Sequence, residues 1–466
     1  MIDINQILNG GMTDGEVINI LRQKSVEVKS WEAIIKDYEP KLHKIVNDHI
    51  SRKDKVSKGR KEEASRIHIG FEKLITKRMS EFTYTIPVKR NYLNIGDDQV
   101  KQDITKAIEL IFKKARINAL NLVRGKEYFA ACEICSVWYA IEQPNSSYGF
   151  KSKYKLRCVN FSPMSGVRLY PLFDEYGDMI AMSLEYERKV TNERVQFFET
   201  YTADRHIKWT ITSGNMKREM DEKILLGKIP AVYAYRKEPV FDGIEHLREE
   251  IEYALSRNSD TIVYNSAPIL KVAGAIEGEE DKGESKRIVR VQNGGDVQYV
   301  SWSQGSSALH EHISELKSLI FMGTQMPDVS FEKMAALGNI GYDARKTLLT
   351  DAHLKVGDES GTLLEFHDRE FNVVKAFLKL MRPDWADAID EIEADTIITP
   401  FVQRDETQDA QRLMTLNGGK PVISQEDSIR MAGYSGDAAA TLEKINKENA
   451  EAQKSQIEAL MGEQAM

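Results

Sequence analysis

Gly243-Ile-Glu-His-Leu-Arg-Glu-Glu-Ile-Glu-Tyr-Ala-Leu-Ser-Arg-Asn258 has the pattern of a helix, and the chain beyond it changes period twice. From Pro268 to Trp302 the residues read as a short, turn-rich β segment. Helical spacing then resumes at Leu309, Ile313, Leu316, Leu319 and Ile320. Met326-Pro327 comes next, and after it a small-residue stretch, Met334-Ala-Ala-Leu-Gly-Asn-Ile-Gly341. Two helices therefore bracket a small β module, with a glycine-containing loop behind them.

Working outward, a long helical segment is expected from Asp343 to Met381, interrupted at Gly357 and Gly361. Beyond Pro383 the composition turns acidic. Residues 384–466 hold 17 Asp and Glu against 7 Lys and Arg, a net of −10, which leaves +2 for residues 1–383. Toward the N-terminus, Thr13-Asp-Gly-Glu16 is a capping box, and Trp31 to Ile50 has helical spacing. Ser51 to Glu63 holds six Lys and Arg with one apolar residue, Val56, and reads as an exposed linker rather than a DNA contact. Ile67, Phe71, Leu74, Ile75 and Arg78 predict a further helix, and Asp103 to Val123 another with one apolar face. From Glu127 to Tyr235 the period becomes two, between turn signals at 143–147 and 176–178, so a run of antiparallel strands is expected. The fold class is α+β.

Length and composition narrow the function. The 466 residues correspond to roughly three domains, and 41% hydrophobic content with only 41 Gly and Pro excludes disordered and collagen-like chains. A net charge of −8 excludes a chain-wide basic coat for nucleic acid. The opening Met1-Ile-Asp-Ile-Asn-Gln is unlike a secretory leader, and Tyr128 to Ile141 is too short to span a bilayer, so a cytoplasmic origin is expected. Three cysteines cannot build a disulfide framework.

The short motifs that suggest chemistry fail on their own geometry. Cys132-Glu-Ile-Cys135 has no second pair, Cys158 being the remaining cysteine, and in a strand residues three apart face opposite sides. His310 and His312 stand two apart on a helix and share no face. Gly278 to Ser285 has Walker A glycine spacing, but Glu284 occupies the lysine position and would repel a phosphate. Catalytic residues can converge from distant positions, so an enzyme stays open as an alternative.

Four segments, in this order, resemble bacteriophage portal proteins of the SPP1 type found in siphophages. They are Arg66-Ile-His-Ile-Gly-Phe71-Glu-Lys-Leu-Ile75 running on to Phe82-Thr-Tyr84-Thr-Ile-Pro87-Val88, which looks like the family's helix ending in a Tyr-containing strand; Ile111-Phe-Lys-Lys-Ala-Arg116-Ile-Asn118-Ala-Leu120; Gly227-Lys-Ile-Pro230-Ala-Val-Tyr with Gly243-Ile-Glu-His-Leu and Asn258-Ser259-Asp260; and Met326-Pro327-Asp328-Val329 with Gly338-Asn-Ile-Gly341. Ile340 stands where relatives tend to have Ser.

The resemblance implies a portal fold: residues 1–240 as the N-terminal part of a helix-rich wing with an antiparallel sheet, stem helices at 241–260 and 306–325, and a small α/β clip at 261–305. It places a tunnel loop region at 326–342, a long wing helix at 343–403 and a helical crown at 404–466. A ring, normally of twelve subunits, would sit at the capsid vertex of the virion, after assembly in the host cytoplasm, and pass double-stranded DNA. Terminase large subunit, head–tail adaptor, major capsid protein and scaffold would be its partners; no enzyme activity, cofactor, metal or membrane is implied. Lys333, Gly338, Asn339, Gly341, Arg345 and Lys346 are the channel-loop candidates, and Glu279, Glu280, Asp281, Lys286 and Arg287 the candidates for terminase and adaptor docking. A head–tail adaptor or baseplate protein is the other structural reading.

Overall fold

The computed structural model describes residues 4–57, 60–190, 193–212, 214–265, 269–273, 276–281, 287–291, 296–300, 306–328, 347, 349–401, 406–418, 421–433, 435 and 438–463. The chain divides into two units, Met1–Ser330 with Thr350–Phe401, and Phe331–Leu349 with Val402–Met466.

In the first unit two antiparallel sheets stack. Strands β6 (Arg168–Phe173), β7 (Met179–Val190), β8 (Glu193–Tyr201), β9 (Arg205–Thr212) and β10 (Asn215–Lys223) form a five-stranded meander. Strand β4 (Glu133–Asn145) lies between β5 (Ser152–Phe161) and β11 (Ala231–Tyr235) in a three-stranded sheet. Cys135, Val137, Ala231 and Tyr233 of the smaller sheet pack on Leu169, Met182 and Leu184 of the larger. The far face of the meander is closed by α1 (Ile4–Asn9) and α2 (Asp14–Leu21), whose Leu8, Val17, Ile18 and Leu21 meet Phe198, Ile207 and Trp209. The capping box of α2 is formed, Glu16 N–H donating to Thr13 and Thr13 N–H to Glu16 Oε2.

The other face of β4 is polar where it meets helices. Helix α5 spans Phe71–Tyr84, α6 Gln99–Lys114, α7 Ile117–Ala131, and the long helix α10 Thr350–Met381. Arg124 of α7 grips Glu370 of α10 through its two terminal guanidinium nitrogens, at 2.5 and 3.1 Å, and Trp138 Nε1 of β4 donates to the same carboxylate at 3.0 Å. Burial alone would raise the Glu370 carboxyl, but Arg124 and His367 hold it well below the ordinary range. The pair is thus a buried charge kept ionised by bidentate partners, and it fixes α10 against the sheet.

Several local expectations are corrected. Pro40 splits Trp31–Ile50 into α3 (Trp31–Tyr38), a single 3-10 turn and α4 (Lys44–Asn47). Ser51–Glu63 is not a plain linker, since β1 (Lys55–Ser57) pairs antiparallel with β2 (Arg60–Glu62). Asp103–Val123 is broken at Arg116, which takes a left-handed φ of 57° between α6 and α7. Tyr84 ends helix α5, and the strand after it, β3 (Lys89–Leu93), pairs with β16 (Glu393–Ile397). α10 continues through Gly357 and Gly361 without a break, because a face holding Val356, Leu363, Phe366, Val373 and Val374 is buried. Helix α11 (Ala386–Glu391) lies between α10 and β16.

The described part of the second unit is helical: α12 (Glu406–Asn417), α13 (Gln425–Ala432) and α14 (Ala438–Glu463). Ser424 caps α13, and Gly433 closes it with a φ of 76°. No side chain described in these helices is buried.

Candidate channel and docking elements

Helix α8 (Glu245–Asn265) and helix α9 (Ser306–Gly323) are the two helices expected from the sequence, α8 running past position 260 to Asn265. Arg248, Glu252, Ser256 and Asp260 recur every four residues along α8 and form one polar face. Opposite them runs the segment 65–69, read from sequence as the start of a helix that in fact begins at Phe71. Ser65 N–H donates to Asp260 Oδ1 at 2.9 Å, Ile67 N–H to Ser256 Oγ at 2.8 Å, and Ile69 N–H to Glu252 Oε1 at 2.8 Å. Alternate residues of an extended chain advance ~6.6 Å and four helical residues ~6 Å, so the two repeats stay in register over this length. The backbone donors that a β partner would satisfy are taken up by helix side chains.

Both ends of this zipper are charged. Arg52 donates to Asp260 Oδ2 at 2.5 Å and to Ser65 O at 2.8 Å, which ties down the base of the β1–β2 hairpin. At the other end His43 Nδ1 lies 2.6 Å from Glu252 Oε1, and His43 Nε2 lies 2.8 Å from Asp37 O. A carbonyl only accepts, so Nε2 carries a proton and the contact with Glu252 needs a second one. Arg248 donates to Asp37 Oδ1 at 3.0 Å and places Nε 3.3 Å from Glu72 Oε1, close enough for an ion pair but not aimed as a hydrogen bond. Burial raises the Glu72 carboxyl to about 7, Arg248 only partly opposing it.

Helix α9 packs against α8 with Ile313, Leu316 and Ile320 buried, and Phe321 meets Phe71 edge-on at the start of α5. Its C-terminus is a Schellman motif: Gln325 takes φ 55°, Gln325 N–H donates to Met322 O, and Met326 N–H to Phe321 O. Met326 is buried and Pro327 stops the helix, which gives the Met-Pro pair noted in the sequence a capping role.

Between the helices, β12 (Ile269–Ala273) pairs with β15 (Asp296–Val300), and β13 (Ile276–Asp281) with β14 (Arg287–Val291) nested inside. Among the described residues of 266–305 every element is a strand, so the α/β module expected there is β in its described part. Glu279 and Glu280 lie in register with Val289 and Ile288, and Asp281 with Arg287, at the far end of the inner hairpin. Lys286 falls outside the described residues, as do Lys333, Gly338, Asn339, Gly341, Arg345 and Lys346.

Cys132 is the C-cap of α7 rather than a strand residue, and burial pushes the Cys132 and Cys158 thiols up to about 12. His310 and His312 are exposed on α9. Among the described residues no group of His, Cys, Asp and Glu is placed to hold a metal, and no helix is long and apolar enough to cross a membrane. The ladder Arg248, Glu252, Ser256, Asp260 is what sequence reading missed; its four-residue polar spacing on an otherwise amphipathic helix was the available signal.

The family model described as phage portal protein, SPP1 Gp6-like, matches residues 19–455. No curated protein matches the sequence. Among solved structures, a chain from the neck of an empty GTA particle computed with C6 symmetry aligns at 11% identity and a TM-score of 0.41, covering 85% of this chain and 95% of that one.

Proposed function

The chain belongs to the SPP1 Gp6-like family of phage portal proteins, and from that membership we propose that it forms the ring at the unique capsid vertex through which double-stranded DNA is packaged and ejected. Portal proteins are structural virion components that assemble as oligomeric rings, not enzymes. The observation that carries the proposal is the family match over residues 19–455, and the helix, β module, helix order at 245–323 supports it.

In this reading 241–260 and 306–325, which hold most of α8 and all of α9, are the stem, and 261–305, with the last turn of α8, the clip. Residues 326–342 are the tunnel loop, 1–240 with 343–403 the wing, and 404–466 the crown. A closed ring repeats every channel-facing charge once per subunit. Positive rings would neutralise phosphates, release counterions and hold the DNA, whereas neutral or acidic linings let it slide. Asn339, between Gly338 and Gly341, offers a neutral hydrogen-bonding group, while Lys333, Arg345 and Lys346 flank it and touch phosphates transiently. The clip hairpin, with Glu279, Glu280, Asp281, Lys286 and Arg287 around its end, is the surface on which terminase docks during packaging and the head–tail adaptor afterwards. Capsid protein and scaffold would meet the ring at the vertex.

The test is packaging with Asn339→Lys. The expected outcome is assembled rings that adhere to DNA and package slowly or stall, most strongly at low salt. Wild-type packaging rates at low and physiological salt would place the loop away from the DNA path.

A further inference from the structure

Helix α10 carries a partly buried lysine close to the junction of the two stem-like helices. Lys355 Nζ donates to Thr324 O at 2.7 Å and reaches Val240 O at 3.5 Å. Thr324 is the C-cap of α9, and its carbonyl is one of those a helix end leaves without an internal partner. Val240 lies just before Gly243 and α8, with its own N–H donated to Phe129 O of α7. One ammonium on the long helix therefore bonds the chain where it enters α8 and where it leaves α9. Its charge also suits the negative end of the α9 dipole.

Among the described residues, the surroundings leave this bond without a carboxylate competitor that is itself free. Glu359, one turn further along α10, pairs with Arg236 at 2.9 Å, so the nearest carboxylate is engaged with another cation. The left-handed Gln325 costs on the order of 1 kcal/mol of backbone strain, which neighbouring contacts must offset. The Schellman hydrogen bonds, Met326 burial and the Lys355 bond to the adjacent carbonyl are among those contacts.

We propose that Lys355 is the positioning residue that pins the wing-side ends of both α8 and α9 to helix α10, so that the helix pair and the long helix move as one body. The mechanical meaning rests on the portal reading, in which this helix pair is the stem and a force on it passes into the wing. The bond itself does not depend on that reading.

Burial, with Arg236 nearby and Glu359 opposing, lowers the Lys355 ammonium to about 8, which supplies a readout that packing alone would not give. The groups facing it are Arg236 from the end of β11, Glu359 from α10, and the carbonyls of Val240 and Thr324.

Amide hydrogen exchange on the purified protein tests the proposal. In Lys355→Met at pH 7, protection of Thr324, Gln325 and Met326, corrected for intrinsic rates, should fall by about tenfold or more while Leu363–Leu378 stays protected. Lys355→Arg should restore much of it. In the wild type, corrected protection of the same amides should rise as pH climbs from 8 toward 10.5, because the closed junction holds the Lys355 proton less tightly than the opened one, and in Lys355→Arg it should not. Unchanged protection in Lys355→Met overturns the proposal. If that variant does not fold, the wild-type profile decides: a gain in protection beginning near pH 8 and confined to these amides supports the pin, and its absence or a loss overturns it. Exchange needs no DNA, so a failure here leaves the ring reading standing, and a failure of ring formation leaves this result interpretable.

Discussion

Replacing Glu72 by Gln should change how the stability of the protein depends on pH, and the size of the change is set by where Glu72 sits. The side chain is fully buried beside Arg248, Glu252 and His43, accepts no hydrogen bond, and has its carboxyl raised from 4.5 to about 7. That difference in proton affinity corresponds to about 3 kcal/mol. Between these two values the folded state holds a proton that the unfolded chain has released. The contribution is therefore fully present below about 4.5 and is lost as pH rises through 7. Gln is neutral throughout, so it removes this dependence. Urea unfolding followed by tryptophan fluorescence, at pH 5 and pH 8, should show Glu72→Gln gaining about 2 to 3 kcal/mol relative to wild type over that interval. The same difference between variant and wild type at both pH values would refute the reasoning and mean that Arg248 compensates Glu72 fully.

Three further outcomes are expected. Glu252→Ala, which orphans the Ile69 N–H and leaves His43 without its carboxylate, should cost about 3 to 5 kcal/mol in the same urea experiment, far more than Glu72→Gln at any pH. Gly357→Ala and Gly361→Ala should each stabilise the protein by ~0.5 to 1 kcal/mol in thermal melts, since a methyl group at either position meets nothing within 4 Å. Alanine at Glu279, Glu280 and Asp281 together should leave ring assembly intact, as seen by gel filtration, and weaken terminase binding in a pull-down; undiminished binding would remove the docking role from this hairpin.

The order of elements was legible because hydrophobic period changes where the architecture changes. Strands such as β9 and β10 alternate, whereas β4 and β11 open on buried runs and α7 carries helix to Ala131, past the Glu127 where strands were expected; the helices at 245–265 and 306–323 keep helical spacing, and the turn at 174–178 was marked by its own Tyr-Gly-Asp signal. What was misread depends on contacts between residues far apart in the chain. Ile67 and Phe71 are four apart and suit a helix locally, yet residues 65–69 are drawn out because α8, nearly two hundred positions on, offers their N–H groups acceptors. Gly357 and Gly361 predicted a break that the buried face of α10 overrides. Pro40 was a visible signal for a helix stop, and Lys58-Gly59, between the paired residues Ser57 and Arg60, was one for a hairpin that local charge density hid. Of the residues named for docking, Glu279, Glu280, Asp281 and Arg287 have a register in the inner hairpin, whereas Lys286 and those named for the channel loop rest on sequence and resemblance.

In the proposed function this chain closes into a ring with a channel wide enough for duplex DNA. Negative-stain images of the purified protein viewed end-on test it most directly. The account predicts turbine-like rings with a central hole and a fixed subunit number; a compact particle of about 53 kDa with no hole would contradict it.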